Sequence, residues 1–263
     1  MKLPTFQNKK EKFDYLVKNK AELVELKKSA VKYSDICVTP TDEVVSKAMN
    51  TEYKDDPSKG VITRKIIANT YNWLDSHGDV HVGNTFAKSI KERATKVFHL
   101  HDHKHEVTAK VGRTKAIDEV LVKWSDLGVN KEGDTTVLMA TSEITEKLNK
   151  DVYGQYLDKE IDQHSVGMIY VKMSLAINDE EYKEEKIVWD KVYPKLGNPE
   201  KADEDKYFWV VEEAKLIEYS AVLFGSNELT PTVENIEPLK DTQKKEPNEP
   251  IKSLDWNEVI TNF

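Results

Sequence analysis

The sequence has little of several features that would mark a particular class of protein. It contains one cysteine, Cys37, which leaves no partner for an intrachain disulfide, so we expect a reducing compartment. No apolar run approaches the roughly 20 residues needed to cross a bilayer, and the first residues are followed by charge where a secretory signal would be apolar. The formal net charge of −8 leaves no basic excess to neutralise phosphates. We therefore expect a cytoplasmic protein with neither a membrane nor a specific nucleic-acid partner.

The composition changes along the chain, which divides it into three regions. In residues 1–60, apolar residues recur at helical spacing between many charges, which predicts a helical N-terminal arm. Residues 61–233 contain β-branched, strand-like runs and a charged insertion at 179–205. Residues 234–263 are rich in Pro, Lys, Glu and Asn, which predicts a flexible tail. The tail ends in an amphipathic patch that either binds a partner or folds back on the body.

The central region predicts an α+β fold that is mainly β. About seven or eight strands are indicated, and they do not alternate regularly with helices, which disfavours a doubly wound parallel sheet. A closed β-barrel with peripheral helices is the architecture we expect. An apolar spacing of four also predicts an amphipathic helix over residues 143–160.

Four of the seven histidines are concentrated in the sequence VFHLHDHKH, residues 97–105. On an extended strand, this period of two would place the side chains of His99, His101, His103 and His105 on one face. One interpretation is a general base, because imidazole exchanges a proton near neutral pH. A second is a metal site, although neither a Cys-x-x-Cys nor a His-Glu-x-x-His motif accompanies the run. A third is a set of exposed loop histidines without a role. We expect no metal and no cofactor.

A candidate nucleophile lies far down the chain at Ser165. It opens an apolar run that should form a strand, and Gly167 would allow a substrate to approach the backbone closely. A serine hydroxyl needs a nearby base, which only the clustered histidines, His164 or a neutralised lysine could provide. His164 is a poor choice, because adjacent side chains on a strand point to opposite faces.

A candidate third member is Glu218, in the sequence LIEYSAV, residues 216–222. Glu218 and Ser220 share a strand face with Leu216 and Val222, and a carboxylate on such a face is costly unless it is paired. Its partner would be a lysine or, as we favour, an imidazole that it orients.

Four short motifs follow one another in the central region: DSHGDVHVGNTF from Asp75, Leu100-His101-Asp102 followed by Val111-Gly112, HSVGM from His164, and LIEYSAV followed by Asn227. In this order they resemble the prohead (capsid maturation) serine proteases of tailed bacteriophages. The resemblance covers about residues 61–233. It does not extend to the arm, the insertion at 179–205 or the tail.

The resemblance implies a fold similar to the herpesvirus assembly protease (assemblin), a β-barrel ringed by helices. It implies a serine endopeptidase inside the immature capsid, in the host cytoplasm, that cleaves the internal scaffold or the arm of the major capsid protein, and itself. The expected partners are the scaffold and major capsid proteins, with a homodimer left open. A non-catalytic capsid component that keeps this fold is the alternative.

Site residues are carried over from the same motifs. His101 is the expected base, Ser165 the nucleophile and Glu218 the third member of the triad. Related viral proteases place a second histidine or an aspartate in the third position, so His103 and His105 remain alternatives to Glu218. The resemblance implies acyl transfer through a covalent Ser165 intermediate.

Overall fold

The computed structural model describes residues 3–29 and 55–233. In this part of the chain the helices are α1 (Lys9–Lys18), α2 (Lys20–Ser29), α3 (Ala87–Arg93), α4 (Lys150–Leu157), α5 (Lys183–Val192) and α6 (Pro199–Asp205). The strands are β1 (Val61–Thr70), β2 (Asp79–His81), β3 (Phe98–His101), β4 (Lys110–Lys123), β5 (Asp134–Thr145), β6 (His164–Ile177), β7 (Tyr207–Ala221) and β8 (Thr232–Val233). The predicted tail, 234–263, and residues 30–54 of the arm lie outside the described residues. Within those bounds, no helix combines the length and apolarity that crossing a membrane requires.

One mixed sheet of eight strands organises the fold, with order β2-β7-β3-β4-β5-β1-β8 and β6 on the other edge of β7. Helices and a large sheet confirm the expected combination of α and β structure. The closed barrel is not confirmed, because β2, β6 and β8 each pair with only one other strand among the described residues. Two hydrogen bonds join chain segments near β6 and β8: His164 N to Thr230 Oγ1 at 3.1 Å and Thr232 Oγ1 to Ile161 O at 2.8 Å.

The central strand of the site is β7. Along one edge it pairs in parallel first with β2 and then with β3, and along the other it pairs antiparallel with β6. Its apolar side chains, among them Val211, Leu216 and Tyr219, are buried in the largest core cluster. This strand therefore fixes the relative position of the two segments that carry the candidate base and the candidate nucleophile.

The predicted helix over 143–160 is wrong in its first part. Strand β5 continues to Thr145, and Ile144 lies opposite both Ile62 and Gly112 in the sheet. The helix begins only after Asn149, whose side chain accepts a hydrogen bond from Val152 N at 3.1 Å and caps the helix. The apolar spacing was the same for the strand end and the helix, so periodicity alone did not separate them.

The charged insertion at 179–205 contains α5 and α6, which pack against β6 and β7 respectively. Its Trp189 ring stacks on Tyr193 with 4.8 Å between ring centroids and contacts Phe208 of β7 at 5.0 Å. Val80 of β2 and Val210 of β7 belong to the same buried cluster. The insertion thus shares a small apolar cluster with the sheet, separate from the main cluster.

The N-terminal helices α1 and α2 lie against the far end of β6 and β7. Phe13, Leu16 and Leu23 are buried in one cluster with Leu175, Ile177 and Trp209. Lys27 of α2 completes the contact through an ion pair with Asp79, 2.5 Å between Nζ and Oδ1, in which the side chains are only 9% and 1% exposed. Asp79 also accepts a hydrogen bond from the Tyr170 hydroxyl at 2.8 Å.

We predict that Lys27→Met loosens α2, because it leaves the buried Asp79 carboxylate without its cation. Removing one partner of a buried ion pair costs about 3–5 kcal/mol, so α2 should open roughly a hundredfold more often or more. Hydrogen exchange followed by mass spectrometry measures this opening directly.

The control is Lys10→Met, because the Lys10–Glu181 pair has side chains 64% and 63% exposed. Such exposed pairs contribute little to stability. Equal protection of α2 in the two variants would show that the Lys27–Asp79 pair does not hold the helix.

Candidate active site

Strand register brings two of the candidate residues, Ser165 and Glu218, to one face of the sheet. Ser165 of β6 lies opposite Ser220 of β7, and Gly167 lies opposite Glu218. Directly paired residues in a sheet present their side chains to the same face, with Cβ atoms about 5 Å apart. The half-buried Ser165 hydroxyl therefore shares a face with Ser220 and with the Glu218 carboxylate, one pair further along.

The Glu218 side chain is buried and fully engaged. It is 1% exposed; its Oε1 lies 2.6 Å from His103 Nδ1, and its Oε2 accepts a hydrogen bond from Ser220 Oγ at 2.7 Å. The partner is thus an imidazole rather than a lysine, but it is that of His103 and not that of His101, the expected base. A buried carboxylate with both oxygens hydrogen-bonded avoids most of the cost of its burial.

His103 reaches Glu218 because the chain turns sharply after β3. That strand ends at His101, and both Asp102 and His103 have φ of 53°. This left-handed backbone is uncommon outside glycine, although Asp and His adopt it more often than most residues. The backbone N–H of His103 donates to Ser220 Oγ at 3.1 Å, which holds the turn against β7.

The same turn makes the expectation of four histidines on one face wrong. A period of two holds only while the backbone stays extended, and it ends at His101. His99 is fully buried beneath the sheet, whereas the His103 side chain is 38% exposed on the side of Glu218. Within residues 3–29 and 55–233, no group of three or more His, Cys, Asp or Glu side chains is placed to hold a metal ion.

His101 does not share the face of the sheet that carries Ser165 and Glu218. It is paired with Ala221, whose neighbour on β6 is His164 and not Ser165. Its Nδ1 is 3.4 Å from Asp102 Oδ2, and among the described residues neither Glu218 nor Ser165 contacts its ring through a hydrogen bond. The structure therefore brings Ser165 and Glu218 to one face, with His103 rather than His101 bonded to the carboxylate.

Ser165 Oγ has no hydrogen-bond partner among the described side chains. In particular, no imidazole nitrogen is bonded to it. Hydrogen bonds of catalytic groups are often long without substrate and shorten in the complex. The Nε2 atom of His103 likewise has no partner within the described chain, which leaves it available to a group that enters from solvent.

Gly167 and Gly112, two glycines of the motifs, each lie against other side chains that leave no room for a Cβ. A Cβ on Gly167 would overlap the Glu218 carboxylate, since all three of its nearest atoms belong to that side chain. A Cβ on Gly112 would lie 2.5 Å from Ser142 Oγ and 3.1 Å from His99 Nδ1. The Gly167 backbone is not left-handed, so close approach, and not backbone conformation, requires glycine there.

The opposite face of the same strands contains a second, fully buried set of imidazoles. Burial, and then the nearby His164, hold the pKa of His99 well below its ordinary value. Burial also lowers the pKa of His164 to about 4. Both rings are therefore neutral near pH 7. This buried pair cannot act on a substrate directly, because neither ring reaches the surface.

Sequence reasoning named Ser165 and Glu218 as candidates, and His103 only as an alternative third member, but it did not predict the contacts that His103 and Ser220 make with Glu218. Ser220 joins the His103 backbone to the Glu218 side chain, and its position two residues after Glu218 already placed it on the same face. The turn at Asp102 had no such signal, because the sequence Asp-His lacks the glycine that usually marks two successive left-handed residues.

Comparisons with protein-family models, with curated protein sequences and with solved structures found no match to this chain. The geometry of the site, together with the motifs, is therefore the basis for its interpretation.

We predict that Gly167→Ala destabilises the protein, because the added methyl group displaces the Glu218 carboxylate from beneath His103. Overpacking of this kind costs about 1–3 kcal/mol. Urea denaturation of the purified variant measures the change in the free energy of unfolding.

Gly154→Ala is the matched control. A Cβ at this position in α4 meets nothing within 4 Å, and Ala favours a helix over Gly by about 0.5–1 kcal/mol. The control should be as stable as the wild type or more so. A Gly167→Ala variant with unchanged stability would mean that Glu218 does not lie over residue 167.

Proposed function

We propose that this chain is a serine endopeptidase in which Ser165 is the nucleophile, His103 the general base and Glu218 the residue that orients it. The contact between Glu218 Oε1 and His103 Nδ1 carries the proposal. A buried carboxylate on Nδ1 leaves Nε2 free to exchange a proton, which is the arrangement that serine hydrolases require. His103 takes the place of His101 in our expectation, because Glu218 contacts His103.

The mechanism is acyl transfer in two steps. As Ser165 Oγ attacks the carbonyl carbon of the scissile peptide, His103 Nε2 takes the hydroxyl proton, and Glu218 stabilises the imidazolium that forms. His103 then gives the proton to the leaving amine, which departs as the peptide C–N bond breaks. A water molecule next attacks the ester, giving its proton to His103, and Ser165 is released with its hydroxyl restored.

The position of the groups supports this assignment. Ser165 is half-buried and His103 is partly exposed, so a peptide could reach both, while the Glu218 carboxylate is shielded from water. Shielding strengthens the interaction of a carboxylate with an imidazolium. A purely structural Glu–His contact would not require an unbonded serine hydroxyl opposite Ser220.

The biological setting that we propose is capsid maturation in a tailed bacteriophage. It rests on the four motifs, which resemble those of prohead proteases and include Ser165 and Glu218; the histidine of the second motif is His101, two residues before the proposed base. The substrates would be the scaffold protein, the arm of the major capsid protein and this chain itself, inside the immature capsid in the host cytoplasm. The barrel of that family would require the sheet to curve until β6 and β8 approach, and the hydrogen bonds between residues 161–164 and 230–232 favour such curvature.

A fluorophosphonate probe tests the nucleophile and the base together, because it labels only an activated serine. We predict that the wild type is labelled at Ser165 and that Ser165→Ala is not. His103→Ala should slow labelling by roughly a hundredfold or more, since a general base contributes about that much. His101→Ala should be labelled at the wild-type rate. Labelling rates are followed by intact-protein mass spectrometry.

Ser174→Ala is the control for nonspecific serine labelling, because Ser174 lies on the same strand and bonds Glu212 rather than an imidazole. It should behave as the wild type does. A wild-type protein that is not labelled would remove the hydrolase proposal. A rate that falls in His101→Ala but not in His103→Ala would return the role of the base to His101.

The capsid role has its own prediction. Co-expression with the scaffold and major capsid proteins should produce shortened forms of the scaffold, the capsid protein or this chain, and the Ser165→Ala chain should produce none. Mass spectrometry of the new termini identifies the cleaved bonds. Identical fragment patterns with both chains would favour the non-catalytic assembly component.

A further inference from the structure

A continuous line of hydrogen bonds crosses the buried face directly beneath the candidate site. It runs from Ser142 of β5 to His99 of β3, then to Tyr156 of α4, His164 of β6 and the backbone carbonyl of Thr230. The four distances, in that order, are 2.8, 3.1, 2.8 and 2.8 Å. All four side chains are buried.

The direction of every hydrogen bond in this line can be assigned from its last member. A carbonyl oxygen only accepts, so His164 Nδ1 carries the proton that bonds Thr230 O. Burial keeps His164 neutral, so its Nε2 must accept, and the Tyr156 hydroxyl donates to it. With its one proton committed, Tyr156 accepts from His99 Nε2, and His99 Nδ1 accepts from the Ser142 hydroxyl.

This assignment makes Tyr156 the junction of the line. Its hydroxyl donates to one strand and accepts from another, and β7 lies between these two strands. His164 immediately precedes Ser165, and His99 begins the segment that turns into His103. The separation of the proposed nucleophile and base thus depends on the pairing of β3 and β6 with β7 and on the link through Tyr156 beneath them.

We propose that Tyr156 is a positioning residue for the proposed hydrolytic site, fixing the distance between His103 and Ser165 by linking His99 to His164 from below. The inference rests on the proposed function, since it assigns Tyr156 an effect on that chemistry. Misplacement of reacting groups by about 1 Å can cost a hundredfold in rate. Ser165 and His103 are not bonded in the unliganded protein, so their separation is sensitive to such a shift.

The helix that carries Tyr156 also provides a matched control. Tyr153, one turn earlier on α4, is buried too, but its hydroxyl has no hydrogen-bond partner within the described residues. Tyr153→Phe removes an oxygen that bonds nothing, whereas Tyr156→Phe removes one that bonds two imidazoles. The two variants therefore differ in the network and not in the chemistry of the substitution.

The experiment measures fluorophosphonate labelling of the full-length protein, separated into the maximal rate constant, the half-saturating probe concentration and the final fraction labelled. We expect Tyr156→Phe to lower the rate constant about tenfold or more with little change in half-saturation. Tyr153→Phe should match the wild type in all three. A role limited to folding would instead reduce the final fraction labelled and leave the rate constant unchanged, which would overturn the inference.

Nitrogen-15 NMR of the histidine rings reports on the network without any need for activity. In the wild type we expect His164 with its proton on Nδ1 and His99 with its proton on Nε2. The reverse tautomer at either ring would overturn the assignment of Tyr156. If the tautomers are as expected but the wild type is not labelled, the proposed function fails, and the positioning role fails with it. If the wild type and Tyr156→Phe are labelled with equal rate constants, only the positioning role fails.

Discussion

The burial of one carboxylate, that of Glu218, is the constraint on which the candidate site depends. A carboxylate that is 1% exposed on a core strand is tolerated only because its two oxygens are bonded to His103 and Ser220. The same contact explains why the chain turns back after His101, since the turn brings an imidazole to that carboxylate. It also explains Gly167, whose missing side chain provides the space that Glu218 occupies.

Side chains alternate between the two faces of β3, β6 and β7. The proposed site residues Ser165 and Glu218 therefore lie on one face, and the buried hydrogen bonds of His99 and His164 lie on the other. The even positions of β7 place Glu218 and Ser220 on one face, and the odd position 219 places Tyr219 on the other. There the Tyr219 ring stacks on His99, with ring centroids 4.7 Å apart. The first face carries the half-buried Ser165 beside the buried Glu218, and the second carries the neutral, buried imidazoles of His99 and His164. Pairing of β7 with β3 and β6 thus places the segments that carry the proposed base and nucleophile, which are far apart in sequence, on either side of one strand.

Part of this arrangement could be predicted from the sequence because it follows from local rules. Period-two alternation placed Glu218 and Ser220 on one face and put His164 on the face opposite Ser165, as the structure has them. What local rules could not supply was the end of β3, because the left-handed pair at Asp102 and His103 is stabilised by contacts with β7, over a hundred residues away. The prediction that a helix begins at residue 143 was wrong because of contacts distant in sequence too, since pairing with β1 and β4 extends β5 through Thr145.

The most direct test of this account is whether His103 is held by Glu218 in solution. Long-range proton–nitrogen correlation spectra of nitrogen-15-labelled protein identify which ring nitrogen of a neutral histidine carries the proton. The account predicts that His103 carries it on Nδ1, with a resonance that moves on substitution of Glu218 by Gln. A His103 ring with its proton on Nε2, insensitive to residue 218, would contradict it.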